Sequence, residues 1–179
     1  MRKPHIAIVF FVLIAVLLST AQSQTIPYQP GRYSWKIHGG EIQLFAARYT
    51  NRNSFDNRAY TFYYETTDKK QIYIVPIKGA KPGDTTFTTV STAGGDWLFS
   101  DITVQRKSAT LELIKVRQDT PGAWDEPGDL IVERYFLKKG DEEDVPYQFI
   151  LQSKTVNPVI PRVSVDEVLE KSLRMQFGD

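Results

Sequence analysis

The chain has 179 residues, with 22 Lys and Arg against 21 Asp and Glu, two His and no Cys. Such a near-neutral chain, without a basic run, lacks the electrostatic attraction that proteins use to bind nucleic acid or anionic membranes. The lack of cysteine excludes disulfides and thiolate nucleophiles, and together with the two histidines it excludes most zinc sites.

The N-terminus has the pattern of an export signal. Basic residues at positions 2 and 3 precede an apolar run, Ile6–Leu18, which is too short to span a bilayer. The small residue Ser23 predicts cleavage after it, with Ala21 as the second choice. No cysteine follows, so the chain is not a lipoprotein, and no second apolar stretch approaches spanning length. We therefore expect a soluble protein that works in the periplasm.

The rest of the chain alternates apolar and polar residues with a period of two, which is typical of half-buried strands. Gly39 and Gly40 predict a hairpin turn, and Pro76 favours a strand end or an edge strand. The predicted strands are 33–37, 42–46, 59–65, 71–77, 85–92, 97–105, 110–117, 130–138 and 147–153.

The last segment changes to helical spacing. Ser164 and Glu167 form a capping box, in which the serine hydroxyl bonds the amide three residues on. After removal of residues 1–23, residues 24–179 predict a single all-β domain. Its expected architecture is an antiparallel β-sandwich of about eight to nine strands with a short C-terminal α-helix.

The sequence offers no catalytic motif. His38 is the one histidine left after signal cleavage, and neither Gly-x-Ser-x-Gly nor Ser-x-x-Lys occurs. We expect carboxylates such as Asp96 and Asp101 to be solvated loop charges. No catalytic residue, metal or cofactor is therefore predicted. An enzyme remains an alternative, and it would need a pocket where carboxylates, His38 or a tyrosine converge.

Four residues are the best candidates for binding a ligand or partner. Arg48, Arg52 and Arg58 flank a polar loop with aromatic neighbours, and arginine pairs with carboxylates as a bidentate fork. Trp124 lies in a loop rich in Pro and Gly, and an exposed tryptophan is a common contact anchor. The alternatives are a charged loop over an aromatic core, and a tryptophan that covers the edge of the core.

Four segments, taken in this order, resemble the CarG-like carbapenem self-resistance proteins. They are Tyr60-Thr61-Phe62-Tyr63 with Val75-Pro76-Ile77, then Gly94-Gly95-Asp96-Trp97-Leu98-Phe99-Ser100-Asp101, then Val145-Pro146-Tyr147-Gln148-Phe149, and finally Val163-Ser164-Val165-Asp166-Glu167-Val168-Leu169-Glu170. The resemblance implies a periplasmic β-sandwich that confers resistance to a carbapenem without hydrolysing it. Protection would come from sequestering the drug or from shielding a cell-wall protein target, and a homodimer is expected.

This chain departs from its relatives at two positions. Many of them have cysteines where this chain has Trp97 and Val163. One hypothesis is that an apolar contact here replaces a disulfide that ties the last helix to the sheet. The resembled fold also occurs in bacterial lysozyme inhibitors, so lysozyme inhibition is the alternative function. Those inhibitors use a Ser-Gly-x-x-Tyr loop, and this chain has no Ser-Gly pair.

Overall fold

The computed structural model describes residues 28–50, 52, 55–94, 97–123, 126–142 and 144–177. The predicted signal, residues 1–23, lies outside this part of the chain. The described elements are β1 (Gly31–Ile37), β2 (Gly40–Tyr49), β3 (Asp56–Thr66), β4 (Ile72–Ile74), β5 (Ile77–Lys78), β6 (Thr85–Thr86), β7 (Thr88–Gly94), β8 (Trp97–Lys107), β9 (Thr110–Asp119), β10 (Gly128–Lys139), β11 (Tyr147–Ile160) and α1 (Val165–Phe177). The prediction of an all-β domain with a short C-terminal helix is confirmed. Eight of these strands have seven or more residues, and β4, β5 and β6 have two or three.

The strands form one sheet in the order β1-β2-β3-β7-β8-β9-β10-β11-β5-β6, with β4 paired to β3. Every pairing is antiparallel except that of β5 with β11, so the sheet is mixed, where the sequence predicted an antiparallel one. The parallel pair arises because the segment after β3 crosses the fold. The Val75 amide donates to the Phe62 carbonyl, and the Phe149 amide in β11 donates to the Pro76 carbonyl, both at 2.9 Å. Pro76 lies between β4 and β5, at a strand end as predicted.

The sheet folds over its own inner face. Phe62 in β3 and Phe149 in β11 are far apart in the strand order, yet their ring centroids lie 5.0 Å apart. The predicted alternation in the second and third strands explains which side chains enter this core, because every second residue shares a face. The buried residues of β2 and β3 are Ile42, Leu44, Ala46, Tyr60, Phe62 and Tyr64. This packing of one half of the sheet on the other gives the expected sandwich-like core.

The other face of the sheet carries the helix. Val165 and Leu169 of α1 pack with Leu98, Ile114 and Val116 in a second buried cluster. In the described residues, no helix is long and apolar enough to cross a membrane.

The start of the helix differs from the predicted capping box. The Ser164 hydroxyl accepts a hydrogen bond from the Leu98 amide at 3.3 Å, and the Glu167 amide donates to Asp166 Oδ1 at 3.0 Å. Ser164 therefore joins the helix start to β8 rather than capping its own first turn. This bond brings together the chain neighbours of Trp97 and Val163. Because the Trp97 side chain lies outside the described part of the chain, the hypothesis of a replaced disulfide stays a prediction.

Candidate functional site

Two of the three candidate arginines share one carboxylate. Arg48 and Arg58 are paired across β2 and β3, and both contact Asp56, through Nε at 3.4 Å and Nη2 at 2.8 Å. Arg58 is only 6% exposed and also donates to the Tyr28 carbonyl at 3.3 Å. Burial lowers the pKa of Arg58, but the hydrogen bond from its guanidinium to Asp56 and nearby negative charge outweigh that effect and raise it. Arg58 is thus held by its own fold, while Arg48 remains exposed.

Within the described residues, Arg52 does not contact this pair or Asp56. Arg52 has an exposed side chain in the loop after β2, where its amide donates to the Thr50 hydroxyl at 3.1 Å. Trp124 lies outside the described residues. His38 is exposed in the β1–β2 turn, and its carbonyl accepts a hydrogen bond from the Tyr147 hydroxyl at 2.8 Å.

Asp101 is not a solvated loop charge, so that expectation was wrong. It belongs to β8, is 0% exposed and accepts a hydrogen bond from the Tyr60 hydroxyl at 2.7 Å. Burial raises its pKa to about 6, although the Tyr60 hydrogen bond and the charge of Arg58 act in the opposite direction. Asp101 lies inside the predicted strand 97–105, and β8 confirms that strand, so the interpretation of this residue as a loop charge fails. Asp96, with which it was grouped, lies outside the described residues.

The best candidate site is a cavity of about 280 Å³ at the end of the inner core. Its floor is apolar and consists of Ile77, Leu113 and Tyr135. Thr86 and Thr89 line it from the β6–β7 segment. The charged lining residues are Asp84, Lys115, Arg117, Glu133 and Lys154. Three cations and two anions leave this lining with one excess positive charge.

The strands place these charges by their period of two. Leu111 and Leu113 of β9 enter the inner core, and the next residues on the same face are Lys115 and Arg117. Glu133 of β10 is the register partner of Lys115. The inner face of the sheet is therefore apolar along most of its length and becomes charged at one end.

The charged groups are unequally paired. Glu133 accepts from the Tyr135 hydroxyl at 3.0 Å through Oε2, and its Oε1 contacts Lys154 Nζ at 3.3 Å. Arg117 pairs with Asp119. The half-buried Lys115 makes no hydrogen bond or ion pair within the described residues. Burial lowers its pKa, whereas the charge of Glu133 acts to raise it.

Thr89 is a second group without a partner. It is 4% exposed, lines the cavity, and its hydroxyl has no hydrogen bond among the described residues. Buried polar groups are nearly always hydrogen-bonded, because an unmet donor or acceptor loses its water without compensation. The described part of the chain contains no cluster of three His, Cys, Asp or Glu side chains that could hold a metal. The cavity can therefore offer a cation and a hydroxyl to a ligand above an apolar floor.

Sequence reasoning did not identify this cavity. One signal was present: the pattern of Leu111 and Leu113 continues as Lys115 and Arg117, which indicates that an inner face becomes polar. The convergence with Glu133 and Lys154 depends on the register of three strands, which the sequence does not specify.

Comparisons with known proteins give one finding on the fold. No protein-family model matches the chain, and no curated protein sequence matches it. Among solved structures, the crystal structure of CarG is similar, with a TM-score of 0.60 and 19% sequence identity over 81% of this chain and 92% of that chain. The chain therefore has a CarG-like fold, as the resemblance of its segments predicted.

Proposed function

We propose that the protein is exported to the periplasm and protects the cell from a carbapenem without hydrolysing it. The observation that carries this proposal is the CarG-like fold, which extends over 81% of the chain. The N-terminal residues 1–23 supply the expected signal for export. The drug itself, or a cell-wall protein that it attacks, is the proposed partner.

The four segments of the resemblance support the proposal because they meet in pairs. The first and third meet where the Phe149 amide bonds the Pro76 carbonyl, and the second and fourth meet where the Leu98 amide bonds Ser164. These segments therefore form the contacts between parts of the chain that are distant in sequence.

Binding without turnover is the mode that the cavity chemistry favours. Glu133 is held by Tyr135 and Lys154, so it stabilises the wall, while Lys115 forms no ion pair within the described residues. A lysine beside apolar lining residues suits retention of a small anion. We therefore favour sequestration over shielding of a target.

The test is survival of a carbapenem-sensitive Gram-negative host that expresses the chain, with the drug's absorbance followed in parallel in the presence of purified protein. We expect a raised minimal inhibitory concentration while the drug stays intact. A variant that lacks residues 2–23 is the matched control and should not protect, because it stays in the cytoplasm. Survival with loss of the drug's absorbance would refute non-hydrolytic protection, and no gain in survival would refute the function.

A further inference from the structure

We propose that the cavity is a binding site for a small organic monocarboxylate, held by the Lys115 ammonium and the Thr89 hydroxyl above the apolar floor. Carbapenem protection itself does not depend on this site, whereas our preference for sequestration over target shielding does. Two independent features of the cavity point to a ligand. One is a lysine that forms no ion pair within the described residues, and the other is a buried hydroxyl that has no hydrogen-bond partner among them.

The cation argument starts from the pairing of the acidic residues. Both Glu133 oxygens are engaged, Oε1 by Lys154 and Oε2 by the Tyr135 hydroxyl. Glu133 therefore faces Lys115 across the register without forming an ion pair with it. Removing an ammonium from water is unfavourable unless an anion or several acceptors replace the lost hydration. A ligand carboxylate beside Lys115 would supply that missing acceptor.

The hydroxyl argument is separate, because Thr89 belongs to β7 and Lys115 to β9. The Thr89 side chain is only 4% exposed. Its hydroxyl can donate one hydrogen bond and accept others. A carboxylate only accepts hydrogen bonds, so the hydroxyl would donate to it. One ligand would then contact two strands, β7 and β9, which β8 separates in the sheet.

The lining also limits the class of ligand. The volume of about 280 Å³ lies near the lower end of the range for small-molecule sites. Ile77, Leu113 and the Tyr135 ring offer apolar contacts to one side of a compact ligand, and the rest of the lining is polar. Glu133 and Asp84 would repel a second negative charge, so a monoanion fits better than a phosphate dianion. A simple carbapenem, with one carboxylate on a compact bicyclic body, belongs to this class. That identification alone rests on the proposed function.

The experiment titrates the purified protein with cyclopentanecarboxylate, its uncharged carboxamide and inorganic phosphate, monitored by amide chemical shifts. We expect the carboxylate to saturate shifts in β7, β9 and β10. The carboxamide should bind about tenfold or more weakly, as expected for loss of one charge-assisted hydrogen bond. Phosphate should bind more weakly than the carboxylate.

Three variants locate the binding. Lys115→Met should weaken carboxylate binding about tenfold or more, whereas Lys138→Met, at an exposed lysine of β10, should leave it unchanged. Thr89→Val keeps the shape and removes the hydroxyl, so it should weaken binding by about fivefold. Because that hydroxyl has no partner, Thr89→Val should melt no lower than the parent. A loss of affinity in this variant then cannot be attributed to misfolding.

The proposal is overturned by any of three results: no saturation up to about 10 mM carboxylate, equal binding of the carboxamide, or unchanged binding by Lys115→Met. Host survival separates this site from the proposed function. A protein that binds the carboxylate but gives no survival contradicts only the function. A Lys115→Met variant that loses binding and still protects upholds the carboxylate site and the protective function, and contradicts sequestration of the drug in the cavity.

Discussion

The buried carboxyl group of Asp101 should make the stability of the protein depend on pH, and this dependence can be measured. Its carboxyl group is fully buried in β8, where Oδ1 accepts the Tyr60 hydroxyl at 2.7 Å and no hydrogen bond from the described residues reaches Oδ2. Burial raises its pKa from the usual 3.8 to about 6. The informative substitution is Asp101→Asn, which keeps the Oδ1 acceptor and removes the charge at every pH.

The magnitude follows from this pKa. A rise from 3.8 to about 6 corresponds to about 3 kcal/mol of lost stability once the group is ionised. Between about pH 4 and pH 6 the folded protein holds a proton that the unfolded chain releases, so stability contributed by Asp101 falls as the pH rises through this window. Above the folded pKa the loss is complete. Asparagine does not ionise, so it avoids this loss of stability, but it weakens the hydrogen bond with Tyr60 by about 1 kcal/mol. We therefore expect Asp101→Asn to raise the free energy of unfolding by about 2 kcal/mol near neutral pH.

The assay is urea unfolding followed by tryptophan fluorescence across this pH range. The stability of Asp101→Asn minus that of the parent should grow by about 3 kcal/mol between about pH 4 and pH 7. Asp68→Asn is the control, because a hydrogen bond from the Thr66 hydroxyl and then one from the Lys70 amide lower the pKa of this exposed aspartate. Its carboxylate stabilises the fold at neutral pH and loses that effect as the pH falls, which is the opposite sign. A pH-independent difference between Asp101→Asn and the parent would refute the reasoning.

Two further predictions concern packing and the helix attachment. Phe62→Ala should destabilise the protein by about 3–5 kcal/mol in urea unfolding, because a fully buried ring is lost, whereas Phe45→Ala, at a 43% exposed position, should cost far less. Gln118→Ala should cost about 1 kcal/mol for each hydrogen bond lost, because the groups that the side chain bonds are only partly buried. Gln118 donates to the carbonyls of Ile160 and Pro161 at 3.3 and 3.2 Å and accepts from the Val163 amide at 3.1 Å. Hydrogen exchange of the α1 amides should accelerate in this variant, and unchanged exchange would contradict the assigned role.

Long alternating strands could be predicted from the sequence, because each of them repeats its burial pattern many times. The inner residues of β3, such as Tyr60 and Phe62, are buried as their spacing indicated. The parallel pairing of β5 could not be predicted, because a strand of two residues, Ile77–Lys78, carries no periodic signal. The partner of Ser164 was missed for a related reason. A capping box is a local pattern, and the competing Leu98 amide is distant in the sequence.

The binding candidates were harder to predict because a charged residue has the same letter whether it is paired or free. Arg58 looked available in the sequence, yet Asp56 and the Tyr28 carbonyl hold it in the structure. Lys115 looked like one more strand lysine, yet at the end of the core it forms no hydrogen bond or ion pair with any described residue. Arg58 and Lys115 differ because the register of β10 and β11 pairs Glu133 with Lys154, so that this carboxylate forms no ion pair with Lys115. Pairing across strands is therefore the information that the sequence lacked.

The likeness to CarG and the cavity provide separate kinds of information. The segments that carry the resemblance include Phe149 and Ser164, whose hydrogen bonds join distant strands and attach the helix to the sheet. Proteins that share this fold can therefore keep these segments even when their ligands differ. Lys115 and Thr89 lie outside those segments, in β9 and β7. Because one fold supports many functions, residues at such positions are free to change with the ligand. Two proteins of this fold can therefore share their core contacts and bind different molecules, and the ligand of this chain has to be inferred from its own cavity.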